Sequence, residues 1–336
     1  MDTSSLVVLT VCMALVFGVI NGIHDAANSV ATIVSTRLLS PLAAVLWAAS
    51  FNFAAVFVFH HGVARTVSSL VHVSAADPAF VWVVLCGLIG AVIWNVLTWW
   101  LAIPSSSSHA LMGGFSGAGL AYGGFAVLNG QALLVTAGFI LISPAIGFAL
   151  GSLLLVALSW LLRDFRPSPT ERLFRAIRLL SAAGYSLGHG GNDAQKTMGI
   201  ILAVLIAGGY HTPGADEAPL WVSLSCYGAI ALGTATGGWR IIRTLGVRLT
   251  KLRPPDAFCA EISGALTLFG ATMADIPVST THTITSAIVG VGSTRKVRGI
   301  RWGLASSILW AWVLTIPASA AMAALCLTLL RALGSW

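Results

Sequence analysis

Four short polar segments in an otherwise apolar chain carry residue types suited to binding ions. Gly22-Ile23-His24-Asp25-Ala26-Ala27-Asn28 is echoed by Gly190-Gly191-Asn192-Asp193-Ala194-Gln195-Lys196, and Pro104-Ser105-Ser106-Ser107-Ser108-His109 by Pro277-Val278-Ser279-Thr280-Thr281-His282. The two aspartates lie 168 residues apart and the two prolines 173, near-equal offsets that mark a duplication. Proline removes a donor and interrupts helical geometry. The hydroxyl runs 105–108 and 279–281 then begin new helices, whose free N–H groups and positive dipole ends suit an anion. Two such starts related by a pseudo-twofold axis could hold one tetrahedral oxyanion between them. A proline kink with helix-satisfied serines is the bland alternative, and the recurrence of the pattern in both halves weighs against it.

A carboxylate buried in membrane is expensive unless protonated, ion-bound or paired, so Asp25 and Asp193 read as functional. Beside an oxyanion they make sense as acceptors for the P–OH of hydrogen phosphate, with a co-transported cation or proton cancelling the like charge. Sulfate has no such proton to give. Asn28 and Asn192 could ligate a cation through oxygen or donate to the anion through nitrogen. Lys196 stands where the first copy has Asn28, and either pairs with Asp193, neutralises the anion or snorkels. His24, His109, His189 and His282 are candidates for proton relay or substrate contact. Capping and hydrogen bonding at the tips is the favoured role for His109 and His282. His24 replaces the Asn192 of the other copy and could do an amide-like job. Glu261 is expected on the ion path, whereas Asp275, Asn52 and Asn95 are expected to satisfy buried helix contacts.

The elements that must position these residues follow from composition. The 336 residues are 57% apolar and 9% charged, with a mean hydropathy of +0.89, whereas a soluble globule carries roughly a quarter charged residues. Residues 6–36, 41–59, 80–103, 131–162, 197–208, 220–239 and 302–330 contain long uncharged runs, several above the about 20 residues that span a bilayer. Residues 1–20 hold Asp2 and no basic segment, so they read as the start of a helix and not as a signal peptide. Net charge is +7, but fifteen of the eighteen basic residues sit in clusters at 37, 163–178, 240–253 and 295–301, marking those loops as cytoplasmic and arguing against nucleic acid. The loop at 209–219, with Asp216 and Glu217, reads as external. Cys12, Cys86, Cys226, Cys259 and Cys326 are scattered without metal-ligand spacing, so neither a disulfide framework nor a metal centre is expected.

Charge placement then gives a topology. Residues 6–36 cross inward, 41–59 outward, 80–121 form a hairpin and 131–162 cross inward. In the second half 179–208 cross outward, 220–239 inward, 257–292 form a hairpin and 302–330 cross outward. The fold class is an all-α integral membrane protein of roughly ten to twelve helical segments, made of two inverted repeats at 1–162 and 179–336 joined by a basic linker at 163–178. Each repeat has three crossings plus a hairpin with a Pro-Ser/Thr tip, and both termini are placed outside.

Over nearly the whole chain these motifs resemble the inorganic phosphate transporter family called PiT, most closely its bacterial low-affinity permeases. The resemblance rests on residues 21–32 and 188–199, on Gly237-Gly238-Trp239-Arg240 and on Pro277-Val278-Ser279-Thr280-Thr281-His282. It implies a symporter in the bacterial inner membrane working by alternating access. Asp25, Asn28, Asn192 and Asp193 would be helix-break residues of the site, and Ser107, Ser108, Thr280 and Thr281 would bind phosphate at the tips. The common family form has asparagine at the positions of His24 and Lys196. That departure resembles the proton-coupled branch, because Lys196 offers no oxygen ligand to sodium. The expectation is proton-coupled phosphate uptake through Asp25 or Asp193, with divalent metal entering as a metal-phosphate complex. Sodium coupling, a sulfate permease of the same family and a passive anion channel are the alternatives. No cofactor, resident metal or enzymatic chemistry is expected, and a homodimer is allowed.

Overall fold

The computed structural model describes residues 2–70, 78–163, 167–212 and 218–334; Asp216 and Glu217 of the external loop and Arg166 of the linker lie outside them. Among the described residues the chain folds into α1 (Thr3–Ser35), α2 (Pro41–Ala54), α3 (Gly62–Ser68), α4 (Pro78–Trp100), α5 (Ser107–Gly123) and α6 (Gly130–Leu161). The same order returns as α7 (Pro167–Ala207), α8 (Leu220–Thr236), α9 (Trp239–Arg243), α10 (Pro254–Met273), α11 (Thr280–Lys296) and α12 (Trp302–Ala332). Each half thus runs as a long helix bearing an aspartate signature, a bent pair, a hairpin and a long closing helix. The closing helices α6 and α12 each contain a proline, Pro144 and Pro317. These prolines lie 173 residues apart, the offset of the hairpin prolines. The all-α multi-span fold and its two inverted repeats are as expected. α7, however, begins inside the segment read as a linker.

Two expectations about where helices break need correcting. α1 and α7 run unbroken through both aspartate signatures. Those stretches hold alanine and glycine but no proline, so every backbone N–H keeps its intrahelical partner, and the polar side chains point into neighbouring helices. The breaks fall instead in the second element of each half. Residues 41–57 and 62–68 meet at 87°, and 220–236 and 239–249 at 61°. At the second break Gly237 has φ +74°, a conformation glycine adopts without steric penalty.

The halves are interleaved. α1 packs on α8 and α7 on α2 and α3, while α12 covers the hairpin α4–α5 and α6 covers the hairpin α10–α11. Small residues permit the close approach. A Cβ on Gly147 of α6 would stand 2.7 Å from the Thr283 carbonyl oxygen of α11, and one on Gly113 of α5 would stand 3.0 Å from the Cα of Ile316 on α12. Only 22% of the most apolar window of α6 or α12 is buried, which leaves Leu141, Leu153, Val313 and Leu325 facing outward as lipid contacts do.

Two apolar clusters stack along the molecule. One gathers Phe17, Leu88, Phe115, Ile201 and Tyr227, the other Ile33, Val45, Leu155, Ile242 and Ile288. On α1 the passage from Phe17 to Ala27, and on α7 that from Tyr185 to Ala194, crosses between them. The two aspartates stand at that crossing.

Candidate ion and anion site at the hairpin tips

On α1 the buried polar residues Asn21, His24, Asp25, Asn28 and Thr32 recur every three or four positions. On α7 Arg178, Ser181, Tyr185, His189, Asn192, Asp193 and Lys196 do the same. That spacing places each set on one helix face. The two faces meet the hairpin tips, where Ser106 caps α5 by accepting from the His109 N–H at 3.3 Å and Ser279 caps α11 by accepting from the His282 N–H at 3.2 Å. Each preceding turn contains a left-handed residue, Ala102 at φ 58° and Asp275 at φ 61°, which reverses the chain after α4 and α10.

Asp25 accepts from both tips at once: Ser107 donates at 2.7 Å and Thr281 at 3.0 Å. Asp193 accepts from Thr280 at 3.1 Å. Exact symmetry would bond Asp193 directly to Ser108. Lys196 stands between them, its Nζ donating to Asp193 at 2.5 Å, to Ser108 at 2.6 Å and to the Val278 carbonyl at 2.6 Å. Asn28 takes the equivalent place in the first copy, donating to Thr281 at 2.9 Å and to Thr280 at 3.4 Å. Four hydroxyls, two carboxylates, an amide and an ammonium thus form one ring. None is more than 8% exposed, so charges there interact with little screening by water.

Asn192 and His24 are hydrogen-bonded to the hairpin turns, His24 in the amide-like way its place in the repeat allows. Asn192 donates to Thr272 at 3.1 Å and to the Ile276 carbonyl at 3.2 Å, and its oxygen accepts from the Val278 N–H at 3.2 Å. Its amide is therefore used up in holding the turn of the second hairpin. His24 does the same for the first hairpin, with Nε2 3.1 Å from Thr98 and 3.3 Å from Ser105, while Nδ1 lies 3.1 Å from Asp25. The rings of His109 and His282 meet edge to face at 4.3 Å between centroids, and His282 stacks on Trp312 of α12 at 3.7 Å. Their backbone groups are capped by the serines, and their rings pack the tips together.

Two residues outside the expected set, Tyr185 and Thr98, belong here together with His189, which was expected as a relay or contact residue. His189 lies with Nε2 3.2 Å from Asp193 and Nδ1 3.2 Å from Asn52. Ligand atoms of Asp25, His189 and Asp193 all lie within 4.8 Å of one another, a spacing that could hold a cation. Tyr185 donates to the Thr280 carbonyl at 3.3 Å. The signal for Tyr185 was its position two turns ahead of Asp193 on the same face as His189. Nothing in the local sequence pointed to Thr98.

Glu261, expected on the ion path, stands apart from the ring. Arg178 donates to its carboxylate at 3.4 Å and Ser181 donates as well, while the Arg178 guanidinium also reaches the Thr32 carbonyl at 3.3 Å. Arg178, read as a cytoplasmic loop residue, is 2% exposed and part of α7. The pair fastens α7 to α10 and α1. Arg178→Leu is expected to destabilise the fold by about 3–5 kcal/mol, because a buried acid is left alone, and adding Glu261→Gln should recover most of that loss. Thermal unfolding in detergent checks it, and a single variant that melts like the parent would show that the pair does not hold the helices.

The phosphate transporter family model matches residues 21–323. The chain is 53% identical over 324 residues to the "Probable low-affinity inorganic phosphate transporter" of Rhizobium meliloti strain 1021, covering 96% of this chain and 95% of that one. It is 43% identical over 321 residues to the protein of the same name from Bacillus subtilis strain 168, covering 95% and 96%. The fold is similar to a solved structure titled "The sodium-dependent phosphate transporter", with a TM-score of 0.88 at 22% identity over 97% of this chain and 99% of that one. Together with the duplicated signatures and the paired hairpins, these matches show that the chain belongs to the phosphate transporter family.

Proposed function

We propose that the chain is a secondary symporter carrying inorganic phosphate with a cation across the bacterial inner membrane, by alternating access around the two hairpin tips. Relatives matching it from end to end bear the name of low-affinity inorganic phosphate transporters. The observation that carries the reading is the convergence on Asp25 of one hydroxyl from each hairpin. An oxyanion entering between the tips takes Ser107, Ser108, Thr280 and Thr281 as donors, with Asn28 and Lys196 beside them. Its P–OH then donates to the carboxylate those hydroxyls release, so buried donors and acceptors stay matched throughout. Asn192 and His24 act on the substrate through the turns they hold.

Sodium has more support as the coupling ion than the proton expected from sequence, because the solved protein that shares the fold is sodium-dependent by its title. The carboxylates of Asp25 and Asp193, with His189 beside them, would receive the cation. One observation favours the proton: Lys196 already supplies Asp193 with a positive charge and brings no oxygen ligand.

Radiolabelled phosphate uptake into proteoliposomes under a sodium gradient alone, and then under a proton gradient alone, separates the two. Accumulation above equilibrium under either establishes symport, and competition by arsenate but not sulfate establishes phosphate. Uptake that ignores both gradients would make the protein a passive channel, and magnesium dependence would show passage of a metal-phosphate complex. Thr281→Val is expected to raise KM for phosphate roughly tenfold to a hundredfold, since a buried hydrogen-bonding group left unmatched costs about 1–3 kcal/mol. An unchanged KM would remove Thr281 from the binding set.

A further inference from the structure

The open end of the second hairpin, away from its tip, encloses a cavity of about 570 Å3. Its walls are the connection between α9 and α10, the C-terminal end of α11 and the turn after it. The cavity is lined by Arg248, Lys251, Arg253, Arg295, Lys296 and Arg301, against a single acid, Asp256. That acid is already committed. It accepts from the Arg253 backbone N–H at 2.9 Å, which begins α10, and from the Arg295 guanidinium, which joins α10 to α11. Among the described residues the other five cations have no carboxylate partner.

Cations converging on one cavity repel each other unless they share an anion. Beside the cavity Val247 is 58% exposed, Val297 56% and Trp302 51%, with the Trp302 indole donating to the Val297 carbonyl at 3.0 Å. An apolar and aromatic rim around a basic hollow suits the headgroup level of a bilayer. The positive-inside rule places this end of the hairpin at the cytoplasmic leaflet, whose surface is anionic.

We propose that this cavity binds the phosphate of an anionic phospholipid headgroup, and that the bound lipid ties together the two legs of the hairpin whose tip carries Thr280 and Thr281. The rim favours a lipid over a free anion, because acyl chains can lie along Val247, Val297 and Trp302. A lipid held there restrains α10 relative to α11, and so restrains the motion of the tip. The proposal does not depend on which solute the tips carry.

The test compares the full chain with Lys251→Gln/Lys296→Gln/Arg301→Gln, three residues remote from the tips, in nanodiscs of phosphatidylcholine with and without phosphatidylglycerol. Native mass spectrometry of detergent-purified protein counts the phosphatidylglycerol retained. The parent is expected to melt several degrees higher with phosphatidylglycerol and to retain it. The variant should match the parent in pure phosphatidylcholine, lose the shift, and retain roughly tenfold less lipid. Equal retention and equal shifts in the two proteins would overturn the proposal. A parent–variant difference produced by millimolar inorganic phosphate and not by phosphatidylglycerol would also overturn it, in favour of a soluble anion. Should the triple variant fail to fold, Arg301→Gln alone carries the test: at least a threefold loss of retained lipid is expected, and no loss refutes the assignment.

Discussion

Asp193→Asn is expected to abolish gradient-driven phosphate accumulation, by at least about a hundredfold, in a protein that still inserts in the membrane. The amide has the shape of the carboxylate and still accepts from Thr280, which donates at 3.1 Å in the parent. What it lacks is charge. Asp193 is one of three residues whose ligand atoms converge within 4.8 Å, and a neutral amide in its place gives a cation far less reason to leave water. Loss of one buried charge-assisted contact from the coupled state, about 3 kcal/mol or more, corresponds to roughly that hundredfold factor. The variant also leaves the Lys196 ammonium, 2.5 Å from Asp193 in the parent, without its counter-charge. A double variant, Asp193→Asn/Lys196→Met, should therefore recover the melting temperature and not the transport. Recovery of both would mean that Asp193 serves only to neutralise the lysine. Wild-type coupled uptake in the single variant would remove its role altogether.

Gly22→Val should act by a different route, with loss of folded protein. A Cβ on Gly22 would run into the Ile230 carbonyl of α8 and stand 3.0 Å from both the Gly233 Cα and the Thr234 nitrogen. All three are backbone atoms, so no side chain can swing aside, and relief requires α1 and α8 to separate. Asp25 lies one turn further along α1, so that separation also opens the ring of hydroxyls. Overpacking of this kind costs about 3 kcal/mol or more where it is backbone on backbone. Gly228 on the same α8 has no neighbour within 4 Å of its would-be Cβ, and Gly228→Ala should be neutral or stabilising by about 0.5–1 kcal/mol. Yield of monodisperse protein and thermal unfolding of the two variants provide the check. Equal behaviour would show that the α1–α8 crossing tolerates a wider spacing.

The hairpins and the duplication were legible because proline, serine runs and aspartates in an apolar chain are rare and leave a mark at fixed offsets. The unbroken course of α1 and α7 was harder to read. A buried acid suggests a broken helix, but here the polar face is satisfied by other helices and the backbone remains regular. The bend after α2 went unseen because residues 55–61 are as apolar as the helix before them, and α3 is turned by tertiary packing on α7 and the second hairpin. Thr66 shows that packing, donating to the Asp275 carbonyl at 2.7 Å. The Arg178–Glu261 pair joins residues 83 positions apart, a separation that local spacing does not report. The shared task of His24 and Asn192 was half visible: the repeat aligned them, and the structure supplied the threonine each one holds.

The exchange of closing helices between halves bears on how the protein is made. As the chain leaves the ribosome, the first half reaches the bilayer with α4–α5 complete, yet the helix that covers this hairpin, α12, is made only after α6 to α11. The tip bearing Ser107 and Ser108 therefore stays uncapped by α12 while the intervening helices are made. The ring cannot assemble one repeat at a time, because its members come from both halves and each hairpin is covered by the closing helix of the other half.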